Sequence, residues 1–360
     1  MTLKVGMLTS GGDAQGLNST MRGTCRALLN HDPKIKIFGF LNGYHGLMHG
    51  NYRSMQDYDF SGILTLGGTI LGTSRQPFKN VKDPLYEDKP EGITKLEAMI
   101  KTYNDMKLDV LVILGGGGTQ KTARLLSMYG CNVIHLPKTI DNDLSGTDLS
   151  FGFQSAVNIA TEVIDGVHTT ATSHGRVFIV ELMGNKVGWL TLHAGVAAGA
   201  DIILIPEIPY DPVKVLKALE AREKEKKPFS IIAIAEGAKS IDEVNMSEEQ
   251  FSKNRENVHS VAYYLQKQLE ELMSKEIRVC VPGHFQRGGS PSAFDRILTT
   301  KLGVEAANAV IEGDFGKMIG ISGQETTRVP LDKIAGRPKR VPLDDPVVLA
   351  ARKLGISFGD

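Results

Sequence analysis

The chain has 360 residues, more than one hydrophobic core usually organises, so two lobes are expected. Its 41% hydrophobic fraction is that of a globular protein, and 41 Lys+Arg against 41 Asp+Glu leave no net charge to draw it to nucleic acid or a membrane surface. Any anion it binds must therefore be met by local positive charge.

Cys25, Cys131 and Cys280 lack CxxC or metal-type spacing and read as reduced, buried thiols. No stretch approaches the roughly 20 apolar residues that span a bilayer, and no basic-then-apolar leader precedes the first strand. A cytoplasmic protein is expected. Its first unusual feature is 39 glycines, often in doublets or longer runs.

Lys4 to Thr9 is a β-like run ending in GGDAQG, and Leu17 to Leu29 carries helical spacing. A second glycine turn runs from Gly67-Gly68-Thr69 to Gly72-Thr73-Ser74-Arg75. Pro77 to Pro90, proline-bearing and of mixed charge, reads as a surface loop or lid. Val110 to Leu114 (VLVIL) is a buried-strand signature, followed by Gly115 to Gly118 and a helix-compatible stretch from Thr119 to Met128. Asn132 to Leu136 is a further strand that stops at Pro137. Val177 to Leu182, Ile202 to Ile205 and Ser230 to Ala235 repeat the alternation, and Ala221 to Lys227 (AREKEKK) reads as a solvated helix end. Apolar runs alternating with helices predict an α/β protein: two doubly wound lobes with mainly parallel sheets and a cleft between them. Such sheets bind ligands at the carboxyl ends of their strands, where the glycine turns fall.

Gly11, Gly12, Asp13 and Gly16 form the first turn, whose backbone N–H groups can converge on an anion beside a helix N-terminus; a purely structural turn is the other reading. Arg75, closing the second turn, is a phosphate holder or a plain surface residue. Four consecutive glycines before Thr119 exceed what a tight strand-to-helix turn needs and favour phosphate approach. Pro137-Lys138-Thr139-Ile140-Asp141-Asn142-Asp143 sets two carboxylates at i and i+2 beside a lysine and a threonine. One carboxylate can take a proton from an attacking hydroxyl and the other can hold magnesium. The same residues also suit an Asx-turn or a helix N-cap. In the second half, Arg176, Glu236, Arg278, His284 and Arg287 lie at or near strand ends; the cations suit a sugar phosphate and Glu236 a sugar hydroxyl. Each alone also reads as a salt-bridged surface residue. His31, His45, His49 and His193 lack metal spacing.

Taken together and in this order, GGDAQGLN, LGTSR, the glycine run with Thr119, PKTIDND, SHGRVFIVELMGN, AEG and GHFQRGGSP resemble the phosphofructokinase family over nearly the whole chain. The resemblance implies phosphorylation of fructose 6-phosphate on its 1-hydroxyl, with ATP or pyrophosphate and Mg2+, by two α/β lobes assembled as a homodimer or homotetramer. It implies a donor lobe at 1–152 plus about 286–336 and a sugar-phosphate lobe at 153–285 plus about 337–360. Asp141 corresponds to the general base, with Thr139, Asp143 and Lys138 beside it. Gly11, Gly12, Arg75, Gly115, Gly116, Gly117, Gly118 and Thr119 fall at the donor phosphates. Met183, Gly184, Asn185, Glu236, His284 and Arg287 fall at the sugar phosphate. Arg176 and Arg278 correspond to residues lent to a neighbouring subunit's pocket.

Two positions depart from the family's pattern. Gly117 stands where an aspartate usually helps bind magnesium, leaving Asp143 and Asp13 as metal ligands, and Asn185 stands where MGR has its arginine, with Lys138 or Lys186 as substitutes. Gly118 leaves room for a nucleotide where pyrophosphate users tend to carry an acidic residue; Lys138 is common among pyrophosphate users. The glycine favours ATP. Arg22, Arg26 and Arg53 match effector-binding places of some members, whereas His168 replaces an arginine there. The departures at Gly117 and Asn185 also admit a catalytically weak regulatory subunit that binds sugar phosphates. A lipid or NAD kinase shares the glycine turn but not PKTIDND and GHFQRGGSP.

Overall fold

A computed structural model describes residues 2–256 and 260–360. The chain folds as two compact units, Met1–Ser155 with Arg287–Pro338, and Ala156–Gln286 with Lys339–Asp360. It builds most of the first, crosses into the second, returns, and ends in the second.

The first unit opens with β1 (Lys4–Ser10), α1 (Leu17–His31), β2 (Lys36–Phe40), α2 (Tyr44–His49) and β3 (Tyr52–Met55). After the 77–90 segment come α3 (Lys95–Asp105), β4 (Val110–Gly115), α4 (Gly117–Met128) and β5 (Val133–Pro137). The second unit then contributes α5 (Phe153–His174, begun in the first unit), β6 (Val177–Leu182), α6 (Trp189–Ala197), β7 (Ile202–Leu204), α7 (Pro212–Lys224), β8 (Ser230–Ala235), α8 (Glu248–Asn254), α9 (Val261–Glu270) and β9 (Ile277–Cys280). On return the chain forms α10 (Ala293–Glu312), β10 (Lys317–Ser322), β11 (Glu325–Pro330) and α11 (Leu331–Ile334), and it closes with α12 (Pro346–Lys353).

The first sheet has seven strands in the order β11-β10-β5-β4-β1-β2-β3. Its centre is parallel, because each apolar strand is followed by a helix long enough to return the chain to the same edge. Strand alternation divides two cores. Val5, Met7, Val110, Val112 and Leu114 face α1 and α10, whereas Leu8, Leu111, Ile113 and Val133 face α2, α3 and α4. Helices α1 and α10 cross so closely that a Cβ on Gly303 would stand 2.8 Å from the Thr20 carbonyl. The second sheet has four parallel strands in the order β7-β8-β6-β9, and every residue of β8 is buried.

Three details differ from the reading of the sequence. The edges β2–β3 and β10–β11 are antiparallel, formed by half-polar segments such as ETTRVP that carry no continuous apolar run. Helix α4 begins at Gly117, so two of the four glycines are its first turn. Cys280 is half-buried rather than buried, unlike Cys25 and Cys131. Among the described residues no helix is long and apolar enough to cross a membrane.

Candidate functional site

In the first unit, parallel register aligns Ser10 with Gly115 and Gly115 with Pro137, so Gly11, Gly116 and Lys138 leave the sheet side by side. The first two turns are tied together. The Gly11 N–H donates to the Ser74 carbonyl (3.0 Å), and the Thr73 hydroxyl donates to the Gly11 carbonyl (2.7 Å). Gly11 has φ +91°, a conformation that favours glycine. Asn18 on α1 fixes the second turn by donating to the Leu66 carbonyl (3.0 Å) and accepting the Ile70 N–H (2.8 Å). Arg75 follows, exposed.

The glycine run divides by role. A Cβ on Gly115 would collide with the Thr119 side chain, and one on Gly116 would stand 3.3 Å from the Lys138 carbonyl. Packing thus excludes a side chain at Gly115 and crowds one at Gly116. A Cβ on Gly117 would meet only Leu144, at 3.6 Å, and one on Gly118 would meet nothing within 4 Å. Helix α4 has no side-chain N-cap, so its first N–H groups stay available to an anion. Thr119 is buried; its hydroxyl donates to the Ser10 carbonyl (3.2 Å) and its carbonyl accepts from the Tyr44 hydroxyl (2.9 Å).

Lys138 is 4% exposed. Its Nζ lies 3.8 Å from where a Cβ on Gly11 would stand and 4.0 Å from the same point on Gly116. Burial first, and then the Arg287 guanidinium, push its pKa down to about 8, while Asp141, Asp13 and Asp143 pull the other way. Arg287 itself lies against the first turn, where a Cβ on Gly12 would collide with its guanidinium.

Asn142 holds the PKTIDND turn. It sits at φ +53°, accepts the Ser150 N–H (3.0 Å) and donates to the Asp148 carbonyl (3.3 Å). Thr139, also buried, accepts the Asp141 N–H on its hydroxyl oxygen (3.0 Å), and its carbonyl accepts from the Ser150 hydroxyl (2.8 Å). The next helix starts only at Phe153, so Asp141 is no helix cap. Asp141 and Asp143 are half-buried on either side of Asn142.

In the second unit, Leu182 pairs with Ala235, so Met183-Gly184-Asn185 and Glu236-Gly237 leave β6 and β8 together. Glu236 Oε1 accepts the N–H groups of Asn185 (2.6 Å) and Gly184 (3.2 Å), and the Met183 N–H donates to Gln286 Oε1 (3.2 Å). Asn185 adopts φ +55°, which asparagine tolerates better than most residues. His284 is exposed in the turn Gly283–Arg287 that follows β9.

Arg176 and Arg278 lie elsewhere. Both pair with Glu276 at the amino ends of β6 and β9, a strand-length of roughly 20 Å from Met183. Within one chain they do not join Glu236. Sequence reasoning passed over Asn18, Tyr44 and Asn142; only Asn142, an asparagine set between two aspartates, carried a local signal.

A doubly wound sheet with anion-accepting turns, a buried ammonium and an acidic pair at its strand ends defines an α/β protein equipped for phosphate groups. The phosphofructokinase family model matches residues 4–310. The ATP-dependent 6-phosphofructokinase of Spirochaeta thermophila is 49% identical over 100% of this chain and 98% of its own length. ATP-dependent 6-phosphofructokinase 3 of Bacteroides thetaiotaomicron is 42% identical over 99% of this chain and all of its own. Phosphofructokinase of Saccharomyces cerevisiae superposes with a TM-score of 0.77 at 30% identity over 92% of this chain, which spans 45% of the yeast chain. A pyrophosphate-dependent phosphofructokinase from Marinobacter aquaeolei shares the fold (TM-score 0.80, 21% identity, 99% of this chain and 92% of that one). The chain belongs to the phosphofructokinase family.

Proposed function

We propose that this chain is an ATP-dependent 6-phosphofructokinase, moving the terminal phosphoryl group of ATP to the 1-hydroxyl of fructose 6-phosphate in glycolysis. The products are fructose 1,6-bisphosphate and ADP. The observation that carries the reading is the Lys138 ammonium buried beside the Gly11 and Gly116 turns, with Asp141 three residues on. Asp141 takes the proton of the 1-hydroxyl as its oxygen attacks phosphorus, with Thr139 orienting its backbone. Lys138 and Arg287 face the charge on the phosphoryl oxygens, already in position before reaction. The N–H groups of α4 and the Gly11–Gly12 turn, with Arg75, hold the remaining donor phosphates. The space at Gly118 admits the nucleotide and supports ATP over pyrophosphate, as do the names of the relatives.

Among the described residues, no group of three or more His, Cys, Asp or Glu could hold a metal ion. Mg2+ commonly takes one or two carboxylates, with the rest of its shell from phosphate oxygens and water. Asp143, with Asp13, would hold it, and it would neutralise charge on the donor phosphates. The first unit is the donor lobe and the second the sugar-phosphate lobe, where Met183, Gly184, Asn185, Glu236 and His284 contact the sugar phosphate. The position of Arg176 and Arg278 supports their serving a neighbouring subunit in a cytoplasmic homodimer or homotetramer.

The test is Asp141→Asn, assayed by coupled detection of fructose 1,6-bisphosphate with ATP and, separately, pyrophosphate. The loss expected is roughly 10²–10⁴-fold in kcat, with the fold intact. Undiminished turnover in the variant removes the base, and a wild-type preference for pyrophosphate removes ATP.

A further inference from the structure

The proposed transfer leaves one fully buried carboxylate unused. Asp295 is 0% exposed and, among the described residues, enters no ion pair. Its side-chain partners are the donors of a single segment. Oδ1 accepts the Gly152 N–H (3.1 Å), and Oδ2 accepts both the N–H (2.8 Å) and the hydroxyl of Ser155. Burial raises the carboxyl's pKa, while these three bonds draw it down. Helix α5 starts at Phe153, so Gly152 and Ser155 present N–H groups that its first turn cannot pair. Asp295 is itself the third residue of α10, whose N-cap Ser292 accepts its N–H (3.2 Å). Two helix N-termini thus meet at one carboxylate and favour its negative charge without a cation.

The contacts continue toward the site on both sides. The Ser292 N–H donates to Ser155 Oγ (2.9 Å), which ties the segment that begins at Arg287 to the start of α5. In the other direction, the Phe151 N–H donates to the Pro137 carbonyl (3.1 Å), and Phe151 forms a β-bridge with Lys138. Ser150 closes the same loop onto Thr139 and Asn142. Gly152 has φ +93°, and a Cβ there would stand 2.8 Å from the Ala14 side chain, so this end of the loop rests on the first glycine turn. One carboxylate therefore joins the loop that carries Lys138 and Asp141 to the segment that carries Arg287.

We propose that Asp295 is a positioning residue for phosphoryl transfer, holding Lys138, Asp141 and Arg287 in their mutual placement while bonding to none of them. The inference rests on the transfer reading above. Misplacement by about 1 Å can cost such a reaction roughly 10²-fold. The carboxylate is needed because all three donors point at it. In Asp295→Asn only one amide atom accepts, so whichever way the group turns its NH2 faces an N–H of Gly152 or Ser155.

The test joins steady-state kinetics to a calorimetric count of sites that bind ADP with Mg2+, and adds amide exchange read by mass spectrometry, which needs no turnover. Asp295→Asn is expected to lower kcat per ADP-binding site at least tenfold, with both KM values within threefold of wild type. A merely structural role would reduce the number of sites and leave kcat per site alone. Exchange should quicken at least tenfold within residues 138–155 and keep the wild-type rate in β8. Ser155→Ala removes a single donor and decides the matter where Asp295→Asn does not fold; about a threefold loss per site and the same local exchange are expected. Turnover per site within twofold of wild type in the folded variant overturns the proposal, as does exchange that quickens evenly along the chain. Failure of the transfer reading is separable: wild type would then make no fructose 1,6-bisphosphate from ATP, whereas local exchange would still report the anchor at Asp295.

Discussion

Replacing Lys138 by methionine should move stability and activity in opposite directions. The side chain is 4% exposed, and its pKa falls from 10.5 to about 8 because burial and Arg287 outweigh the attraction of Asp141, Asp13 and Asp143. A drop of about 2.5 pH units, at about 1.4 kcal/mol per unit, means that keeping the proton costs the folded state about 3 kcal/mol near neutrality. Methionine keeps the unbranched stem and carries no charge. Lys138→Met is therefore expected to stabilise the chain by about 1–3 kcal/mol at pH 7, the lower figure allowing for carboxylates left with one cation fewer.

The pH dependence gives the sharper readout. The folded pKa lies below the unfolded one, so between about pH 8 and 10.5 the folded state binds fewer protons and stability rises with pH. Below pH 8 both states hold the proton and the penalty is constant. Urea denaturation of both proteins from pH 7 to 10.5 should show the gap closing across that window. Transfer should fall at least 10²-fold in the variant, and wild-type kcat/KM should decline above about pH 8 as the ammonium of the free enzyme is lost. A less stable variant at pH 7 would mean that Lys138 is a net-favourable ion-pair partner, and the argument from burial fails.

Gly118→Asp should fold normally, since its Cβ meets nothing within 4 Å, yet raise the KM for ATP at least tenfold, about 1.4 kcal/mol; an unchanged KM would show that the nucleotide lies elsewhere. Gly237→Ala places a Cβ in collision with the backbone carbonyl of Asn185, so the 184–188 loop must move. A lower urea midpoint, worth about 1–3 kcal/mol, and a raised KM for fructose 6-phosphate are expected, with the KM for ATP unchanged. A midpoint and both KM values equal to wild type would show that the loop yields without consequence.

The central strands were legible because buried parallel strands are continuous apolar runs, and VLVIL or SIIAIA can hardly be anything else. The turns were legible because glycines follow those runs immediately. The antiparallel edges were not, since β3 and β11 are half-exposed and their residues answer to pairing rather than to an apolar pattern. The separation of Arg176 from Met183 was there to be read. One residue precedes VFIVEL and the other follows it, which in a parallel sheet puts them at opposite ends. Grouping all the basic residues as strand-end residues hid that distinction. By contrast, nothing local ties Gly188 to Val341; their approach depends on Glu207 accepting from both of these remote N–H groups.

Gly117 and Lys138 read as separate departures in sequence, but in the fold they belong to one arrangement. Gly116 and Lys138 leave neighbouring strands in register, and the Lys138 ammonium lies beneath the glycine turns. Lys138 and Arg287 already face three carboxylates there, Asp13, Asp141 and Asp143, in the balance that sets the lysine's proton affinity. A further carboxylate at position 117 would meet no steric obstacle, with Leu144 at ordinary contact distance, so its absence is electrostatic in consequence rather than forced by packing. Leaving it out spares the site a fourth carboxylate where a polyphosphate must come close. The ammonium is costly to bury and lies where developing phosphoryl charge would use it, which is how a site preorganised for an anion differs from a merely stable one.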